Sequence, residues 1–377
     1  MIKVTHIITG LQADGAERML FNLTTQMDRE RFANSVVSLT GMGDLGEALV
    51  REGIPVRALC LKKSLSSMAS LWRLRRVLCQ EKPDVVQTWM YHADLVGGLV
   101  AQAAGIRRVL WGVHHCDVSR GSMKWLTRVT ARACASASYH VPKQIVFCSE
   151  ASRLAHAQLG YASSKMTFIP NGFDTSRFQP DAQIRQAVRR ELGIRPDSLV
   201  VGMLGRHHPH KDHANFVAAA GAIAGAHPDI EFVLCGRGVT RENEELWSRV
   251  TAAGLDGRAH LLGAREDVSR LLAALDVLVS SSQTEAFPLA VGEAMAAGVP
   301  CVVTDVGDSR LLVGNTGVVV PARNSSALAN GIEVLLKAGQ DGRQSLGIAA
   351  RARIQKFFSL AGIVRRYEDL YSQLSTT

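Results

Sequence analysis

Short β-branched runs alternate with helical stretches along almost the whole chain, and this alternation restricts the fold more than any other feature. In the first half the runs are IKVTHII, NSVVSL, VRALCL, DVVQTW, RVLWGV, QIVFCS and MTFIP. Between them GAERMLFNLTTQM, MASLWRLRRVLCQ and HADLVGGLVAQAAG read as helices. The second half repeats the scheme with LVVGMLG, IEFVLCG, AHLLG, DVLVSS, PCVVTD and GVVV. Strands separated by helices imply βαβ units and parallel sheets. Two such series predict an α/β protein of two doubly wound domains, which suits a length of 377 residues. The boundary is expected in IPNGFDTSRFQPDAQ, where two prolines flank an Asn-Gly turn. The expected segments are residues 1–178, 179–358 and a terminal amphipathic helix within 359–377. Ligands of doubly wound sheets bind at the carboxyl ends of the strands, so a cleft between the domains is the expected site.

The loops at those strand ends are therefore the places to look for chemistry. HIITGLQADGAERML has Walker spacing between Gly10 and Gly15, but Ala16 and Glu17 stand where a P-loop needs Lys and Ser or Thr. It is not G-x-G-x-x-G either, so a dinucleotide fingerprint is missing. Gly15 at a helix start still lets backbone N–H groups approach an anion; a plain tight βα turn is the alternative. In VVGMLGRHHPHKDHANFV, Arg206 and Lys211 follow one strand end. Two cations at a helix start oppose the dipole unless an anion lies between them. A guanidinium fork and an ammonium together suit a diphosphate. His207, His208, His210 and His213 crowd the same loop, but no D-x-D or carboxylate-rich motif accompanies them, so no metal is expected.

The third loop, SSQTEAFPLAVGEAMAAGVP, holds Glu285 and Glu293. Pro288 suits a first helical position with Phe287 before it as an N-cap that cannot cap, and Gly298 suits the residue past the end. The uncapped start faces the strand ends and could take an anion. Eight residues of one helix would span about 12 Å. Paired glycosidase carboxyls stand about 5–9.5 Å apart. Nothing supports a matched acid/base couple. Glu293, in an otherwise apolar helix, reads better as a ligand for paired hydroxyls, as on a ribose, than as a solvated surface charge.

Charge is distributed unevenly. Residues 1–180 hold 22 Lys and Arg against 13 Asp and Glu; the remainder holds 21 of each, so the net charge of +9 lies in the first half. KKSLSSMASLWRLRRVL and RGSMKWLTRVTARA contribute most of it and mix Leu, Met and Trp with the basic residues. They read either as solvated helix faces or as a surface for anionic headgroups or a phosphate-bearing acceptor. No nucleic-acid recognition module is visible. No apolar segment is long enough to span a bilayer, and MIKVTHIITG lacks the h-region of a signal peptide. Seven scattered cysteines without C-x-x-C suit a reducing, cytoplasmic setting rather than disulfides or zinc.

These residues resemble family 4 of the retaining glycosyltransferases, whose fold of two Rossmann-like domains is called GT-B. The resemblance covers nearly the whole length. It rests on DGAERML, IPNGFDTSRF, GRHHPHKD, LLGAREDVSRLLAALDVLVSSS, the E-x7-E pair Glu285–Glu293 and GNTGVVVP. It implies a nucleotide-diphosphate sugar donor, a UDP-sugar before a GDP-sugar, held by the C-terminal domain. It implies that the terminal helix crosses back to the N-terminal domain. By the resemblance Arg206 and Lys211 neutralise the diphosphate, and Glu293 binds the ribose. Glu285, with the backbone at Phe287, Pro288 and Leu289, meets the sugar and the β-phosphate. Arg265 lies near the base, and Gly15 gives an N-domain contact to the diphosphate. Family members often end the fifth strand with a single His facing the sugar; VLWGVHHCD has two, His114 and His115, and His114 is favoured by its distance from the strand. His92 and His115 are candidates for acceptor contact. The implied activity is metal-independent, retaining transfer to a hydroxyl of a glycan or lipid-linked acceptor in surface polysaccharide or lipopolysaccharide synthesis, on the inner face of the cytoplasmic membrane. No cofactor is implied. A GT-B nucleotide-sugar epimerase and a non-catalytic nucleotide-sugar-binding subunit are the competing readings.

Overall fold

The computed structural model describes residues 1–12, 14–61, 68–116 and 125–376. Lys62, Lys63, Arg120 and Lys124 of the two basic segments, and residues 117–118 beside the paired histidines, lie outside the described residues. The chain divides into two compact units, Met1–Gly172 with Leu360–Thr377, and Phe173–Ser359.

Unit 1 begins with β1 (Ile2–Ile8), α1 (Gly15–Gln26), β2 (Phe32–Ser38), α2 (Gly43–Arg51) and β3 (Val56–Ala58). It continues through α3 (Met68–Glu81), β4 (Val85–Trp89), α4 (Tyr91–Ala103) and β5 (Val109–Val113). Then come α5 (Trp125–Ala137), β6 (Gln144–Phe147), α6 (Glu150–Gln158) and β7 (Met166–Phe168). Unit 2 runs through α7 (Ala182–Glu191), β8 (Leu199–Leu204), α8 (His213–Ala224), β9 (Ile230–Cys235), α9 (Glu244–Ala252) and β10 (Ala259–Leu261). It ends with α10 (Val268–Ala274), β11 (Val277–Ser280), α11 (Leu289–Ala296), β12 (Cys301–Thr304), α12 (Ser309–Val313), β13 (Val318–Val320), α13 (Ser325–Lys337) and α14 (Gly339–Phe357). The final helix, α15 (Leu360–Thr376), belongs to unit 1.

The unit 1 sheet has the order β3-β2-β1-β4-β5-β6-β7, parallel throughout. Side chains alternate between two buried faces. Val4, Val85 and Leu110 enter the core shared with α1 and α15, while Ile7, Val86 and Trp111 enter the one shared with α3, α4 and α5. Burial on both faces is why these strands read as nearly continuous apolar runs. On α15, Leu360, Ile363, Val364, Tyr367, Tyr371 and Leu374 are buried at helical spacing. Two polar contacts fix its register. Tyr371 donates its hydroxyl proton to Gln87 Oε1, and Glu368 accepts the backbone N–H of Asp28 at 2.8 Å.

The unit 2 sheet has the order β10-β9-β8-β11-β12-β13 and is also parallel. Arg189, 2% exposed, ties α7 to the start of β11 through Asp276 at 2.7 Å. The two units divide at Gly172–Phe173, where the sequence reading used residue 178. The Pro-Asn-Gly turn signals the crossing, but packing assigns the residues after it. The ring of Phe173 stacks on Phe287 at 6.1 Å, and its backbone N–H bonds to Phe358 O at 2.9 Å.

Phe173 also explains Gly292 in α11, because a Cβ at that position would fall inside the Phe173 ring. Gly292→Ala must displace a stacked aromatic pair and is expected to destabilise the protein by about 1–3 kcal/mol. Urea unfolding measures this, and an unchanged midpoint would contradict the packing.

Candidate functional site

In unit 2 the chain steps outward from β8 to β9 and β10, then returns to the other side of β8 with β11. The strand order reverses between β8 and β11, which is where open α/β sheets hold ligands. The loops leaving these strands carry Lys211 and Glu285. Lys211 Nζ donates to Glu285 Oε1 at 2.5 Å, and Ser282 Oγ donates to the same oxygen at 2.7 Å. Ser282 is buried, and its own carbonyl accepts from Thr304 Oγ1 at 2.6 Å, so β12 braces it. Ser281 Oγ donates to the carbonyls of Lys211 and Asp212, and Gln283 Nε2 donates to Asp212 Oδ2 at 2.9 Å. The two loops are thus stitched together by side chains. Asp212 sits in the left-handed region at φ 52° and caps α8 by accepting the N–H of Asn215.

Lys211 closes a 3-10 turn over Pro209–Lys211, and α8 begins at His213. The sequence reading put Lys211 at the helix start itself; the reversal at Asp212 intervenes. Helix α11 also departs slightly from expectation. Its N-cap is Pro288, in an extended conformation at ψ 108°, and Leu289 is the first helical residue. Pro288 therefore precedes the helix, and Phe287, expected as the cap, lies one residue further out. No side chain caps α11. Its first turn and the β8 end line a depression with Lys211, Ser282, Glu285, Pro288 and Val291. Phe287 is buried against Phe173 and Phe358 beneath this loop. Gly307, at φ 52°, lets the β12 loop come so close that a Cβ would overlap the Glu285 carbonyl. Glu293 is half-buried in the second turn of α11, and Arg206 is exposed just after β8.

Arg265 stands apart from this group. It follows β10 at the sheet edge and bonds Asp267 through both carboxylate oxygens at 2.8 Å and Glu191 at 2.8 Å. Arg270 joins the same two acids, and Arg265 holds the Asp267 carboxyl down at about 2. The histidines of the β8 loop pair by ring contact, His207 with His213 at 5.3 Å and His208 with His210 at 4.6 Å. Among the described residues no three His, Cys, Asp or Glu side chains form a group able to hold a metal ion.

In unit 1 the corresponding reversal lies between β1 and β4. Gly15 is the exposed first residue of α1, whose N-cap Asp14 makes no side-chain cap bond. His92 is half-buried in the first turn of α4, and burial lowers its pKa. Met90, between β4 and α4, has φ 71° and ψ 156°, a conformation that costs an ordinary residue about 1–3 kcal/mol. Trp89 at the end of β4 carries two histidines. Its indole N–H donates to His6 Nδ1 at 3.3 Å, so the Nε2–H of neutral His6 donates to Asn34 Oδ1 at 3.1 Å. On the other side His114 stacks on the indole at 5.0 Å and 28°. Neither ring nitrogen of His114 meets a hydrogen-bond partner among the described residues. His115 turns toward Tyr91, edge to face at 6.2 Å, and its carbonyl accepts from Ser152 Oγ at 2.6 Å. The structure therefore brings Lys211, Glu285 and Pro288 together in unit 2 and leaves Arg265 in a separate ion network. Sequence reasoning did not single out Ser282, Asp212 or Trp89. The polar run SSSQ after an apolar strand was the available signal for the first.

Two sequence profiles match the chain. One, described as Glycosyltransferase Family 4, spans residues 13–177; the other, Glycosyl transferases group 1, spans residues 198–338. The chain belongs to the family 4 glycosyltransferases. It is 29% identical, over 98% of its length and 96% of the relative's, to the UDP-Gal:alpha-D-GlcNAc-diphosphoundecaprenol alpha-1,3-galactosyltransferase of Escherichia coli. It is 32% identical to the lipopolysaccharide core biosynthesis mannosyltransferase LpsB of Rhizobium meliloti, over 57% of this chain and 62% of LpsB. The crystal structure of Anabaena HepE in complex with UDP has a TM-score of 0.87, covering 99% of this chain and 100% of HepE at 23% identity. That likeness shows the GT-B fold. The protein is a glycosyltransferase of polysaccharide or glycolipid biosynthesis.

Burial lowers the pKa of His114 from 6.5 to about 4. In the unfolded chain this imidazole takes a proton near pH 6.5, and in the folded one only near pH 4, so acidification across that window favours unfolding. His114→Gln should therefore gain stability relative to the parent between pH 6.5 and 4, by on the order of 2 kcal/mol. Paired thermal melts across the window check it; a constant difference between the two proteins would contradict the burial.

Proposed function

We propose that this glycosyltransferase moves a sugar from a UDP-sugar to a hydroxyl of a lipid-linked glycan, with retention of configuration and without a metal ion. The observation that carries the reading is the Lys211–Glu285–Ser282 cluster at the β8/β11 reversal, set beside the uncapped start of α11. An ammonium has three protons. One meets Glu285, and the others serve the donor diphosphate, with Arg206 as the second cation. The open N–H groups of Leu289 and its neighbours face the β-phosphate. Both observed bonds to Glu285 fall on Oε1, which leaves Oε2 for a hydroxyl of the sugar. Glu293 binds the ribose hydroxyls. Arg265 stands near the base, as the family resemblance suggests. Gly15, His92, His114 and His115 occupy the matching strand edge of unit 1 and serve the diphosphate, the transferred sugar and the acceptor.

In the transfer the acceptor oxygen bonds to the anomeric carbon as the bond from that carbon to the β-phosphate oxygen breaks. The acceptor proton passes to the departing phosphate oxygen, so no protein nucleophile is required. The site's task is then electrostatic, the stabilisation of the leaving diphosphate. Lys and Arg perform it in place of a metal. The UDP-Gal donor, the diphosphoundecaprenol acceptor and the alpha-1,3 linkage in the E. coli relative's name support this reading, as does the UDP in HepE. An α product is what retention leaves from an α-linked donor. A place at the cytoplasmic face of a membrane follows from an acceptor of this kind.

The test is UDP release from a panel of UDP- and GDP-sugars, with and without a membrane lipid extract as acceptor. Release should require the extract, and one UDP-sugar should stand out. Glu293→Ala and Lys211→Ala should each weaken UDP binding by about tenfold or more, the worth of a charge-assisted hydrogen bond. Conversion of the sugar without acceptor would instead indicate an epimerase, and unchanged UDP affinity in both variants would remove the assigned donor site.

A further inference from the structure

Helix α11 has eight residues, and its two ends are finished differently. Its first turn holds no acidic residue and no side-chain cap, and its last turn holds no basic residue. At the C-terminal end the carbonyls of Glu293, Ala294 and Met295 accept the backbone N–H groups of Ala297, Val299 and Gly298 at 2.9–3.0 Å. Ala296 O is left over, because the residue four positions on, Pro300, has no N–H to give. Arg351 of α14 donates to it from Nη1. The same nitrogen donates to Phe178 O at 2.7 Å, and Nη2 donates to Thr175 O at 2.8 Å. The approach is prepared one turn earlier in α14. There Gly347 lies so close to Gly298 that a Cβ would meet the Gly298 carbonyl oxygen at 1.9 Å. Thr175 and Phe178 follow Phe173, whose ring fills the space over Gly292. This one segment is thus joined to α11 at the middle by a ring and at the end through a guanidinium.

We propose that Arg351 is a positioning residue for nucleotide binding, setting the angle at which α11 presents its open first turn to the β-phosphate of the donor. The inference rests on the donor site proposed above. Arg351 acts from the far end of the helix, about 12 Å along its axis from the first turn. A helix this short moves as a rigid rod, so a tilt at Ala296 carries through to Leu289. Bonds from N–H groups to a phosphate are charge-assisted and directional, and they weaken as the donors turn away. The guanidinium also complements the negative end of the helix dipole, which the sequence of α11 itself leaves bare. The positive end remains for an anion. The planar fork of arginine is what lets one side chain serve carbonyls of two segments at once.

The experiment is calorimetric titration of the full chain and its variants with UDP and with UMP, beside thermal melts. UMP lacks the β-phosphate, so the ratio of the two affinities reads the β-phosphate contact and is blind to a general loss of stability. Arg351→Gln should weaken UDP binding about fivefold and leave UMP binding within about twofold of the parent. Arg353→Gln is the control. Arg353 of the same helix donates to Leu312 O at 2.8 Å and Leu311 O at 2.6 Å, at the end of α12 rather than α11. Its loss should lower the melting temperature and keep the parent's ratio. Should Arg351→Gln fail to fold, Arg351→Lys takes its place, because an ammonium lacks the fork that spans the three carbonyls, and the same fall in the ratio is expected. A lower melting temperature with an unchanged ratio makes Arg351 a residue of the fold alone and overturns the inference, while Lys211→Ala still weakens UDP binding. A parent chain that binds no UDP overturns the donor reading itself, and this inference with it.

Discussion

Everything at the candidate site of the second unit follows from one pairing, the parallel contact between β8 and β11. A parallel sheet sends every strand out at the same edge, and a reversal of strand order leaves the loops of two neighbouring strands diverging from a common point. Here that point receives Lys211 from one loop and Glu285 from the other. Their bond is not the only restraint. Ser281 holds the carbonyls of Lys211 and Asp212, Gln283 holds the Asp212 carboxylate, and Ser282 holds Glu285. The ammonium is thereby fixed in a partly buried place without losing all its protons to the protein. Phe287, Phe173 and Phe358 form the apolar floor under the same loop.

Unit 1 repeats the device with aromatic rings in place of ions. At its own reversal Trp89 is gripped by His6 on one side and stacked by His114 on the other. Both imidazoles are held neutral by burial, with pKa values of about 4. Neutral rings on both sides of an indole put no charge into this buried edge of the sheet. Next to it Met90 keeps a backbone conformation that glycine would adopt more cheaply. The strain falls at the junction from which α4 and His92 project.

The architecture was legible because both sheets are buried on both faces, which writes each strand as an apolar run. IKVTHII is β1 residue for residue, and all the anticipated strands form. Ends were less legible: VRALCL continues the pattern through Leu61, but β3 stops at Ala58 because Cys60 takes φ 51°. Of the site, the residue types were readable and the contacts were not. Lys211 and Glu285 are 74 residues apart, and nothing local announces that they meet. The left-handed Asp212 is equally silent, since aspartate before a helix reads as an ordinary cap. Arg265 could be named from its motif, but only the fold reveals its commitment to Asp267 and Glu191.

The return of α15 to unit 1 has a consequence for how the chain is made. Six buried side chains of that helix complete a core whose other members all precede Phe173. During synthesis the intervening unit emerges whole and can close on its own core before α15 exists. The first unit must wait with one sheet face uncovered, Gln87 and the Asp28 backbone without Tyr371 and Glu368. The half of the protein that is translated first is therefore the half that finishes folding last. Between those moments its uncovered apolar face is the chain's point of exposure to aggregation and to chaperones.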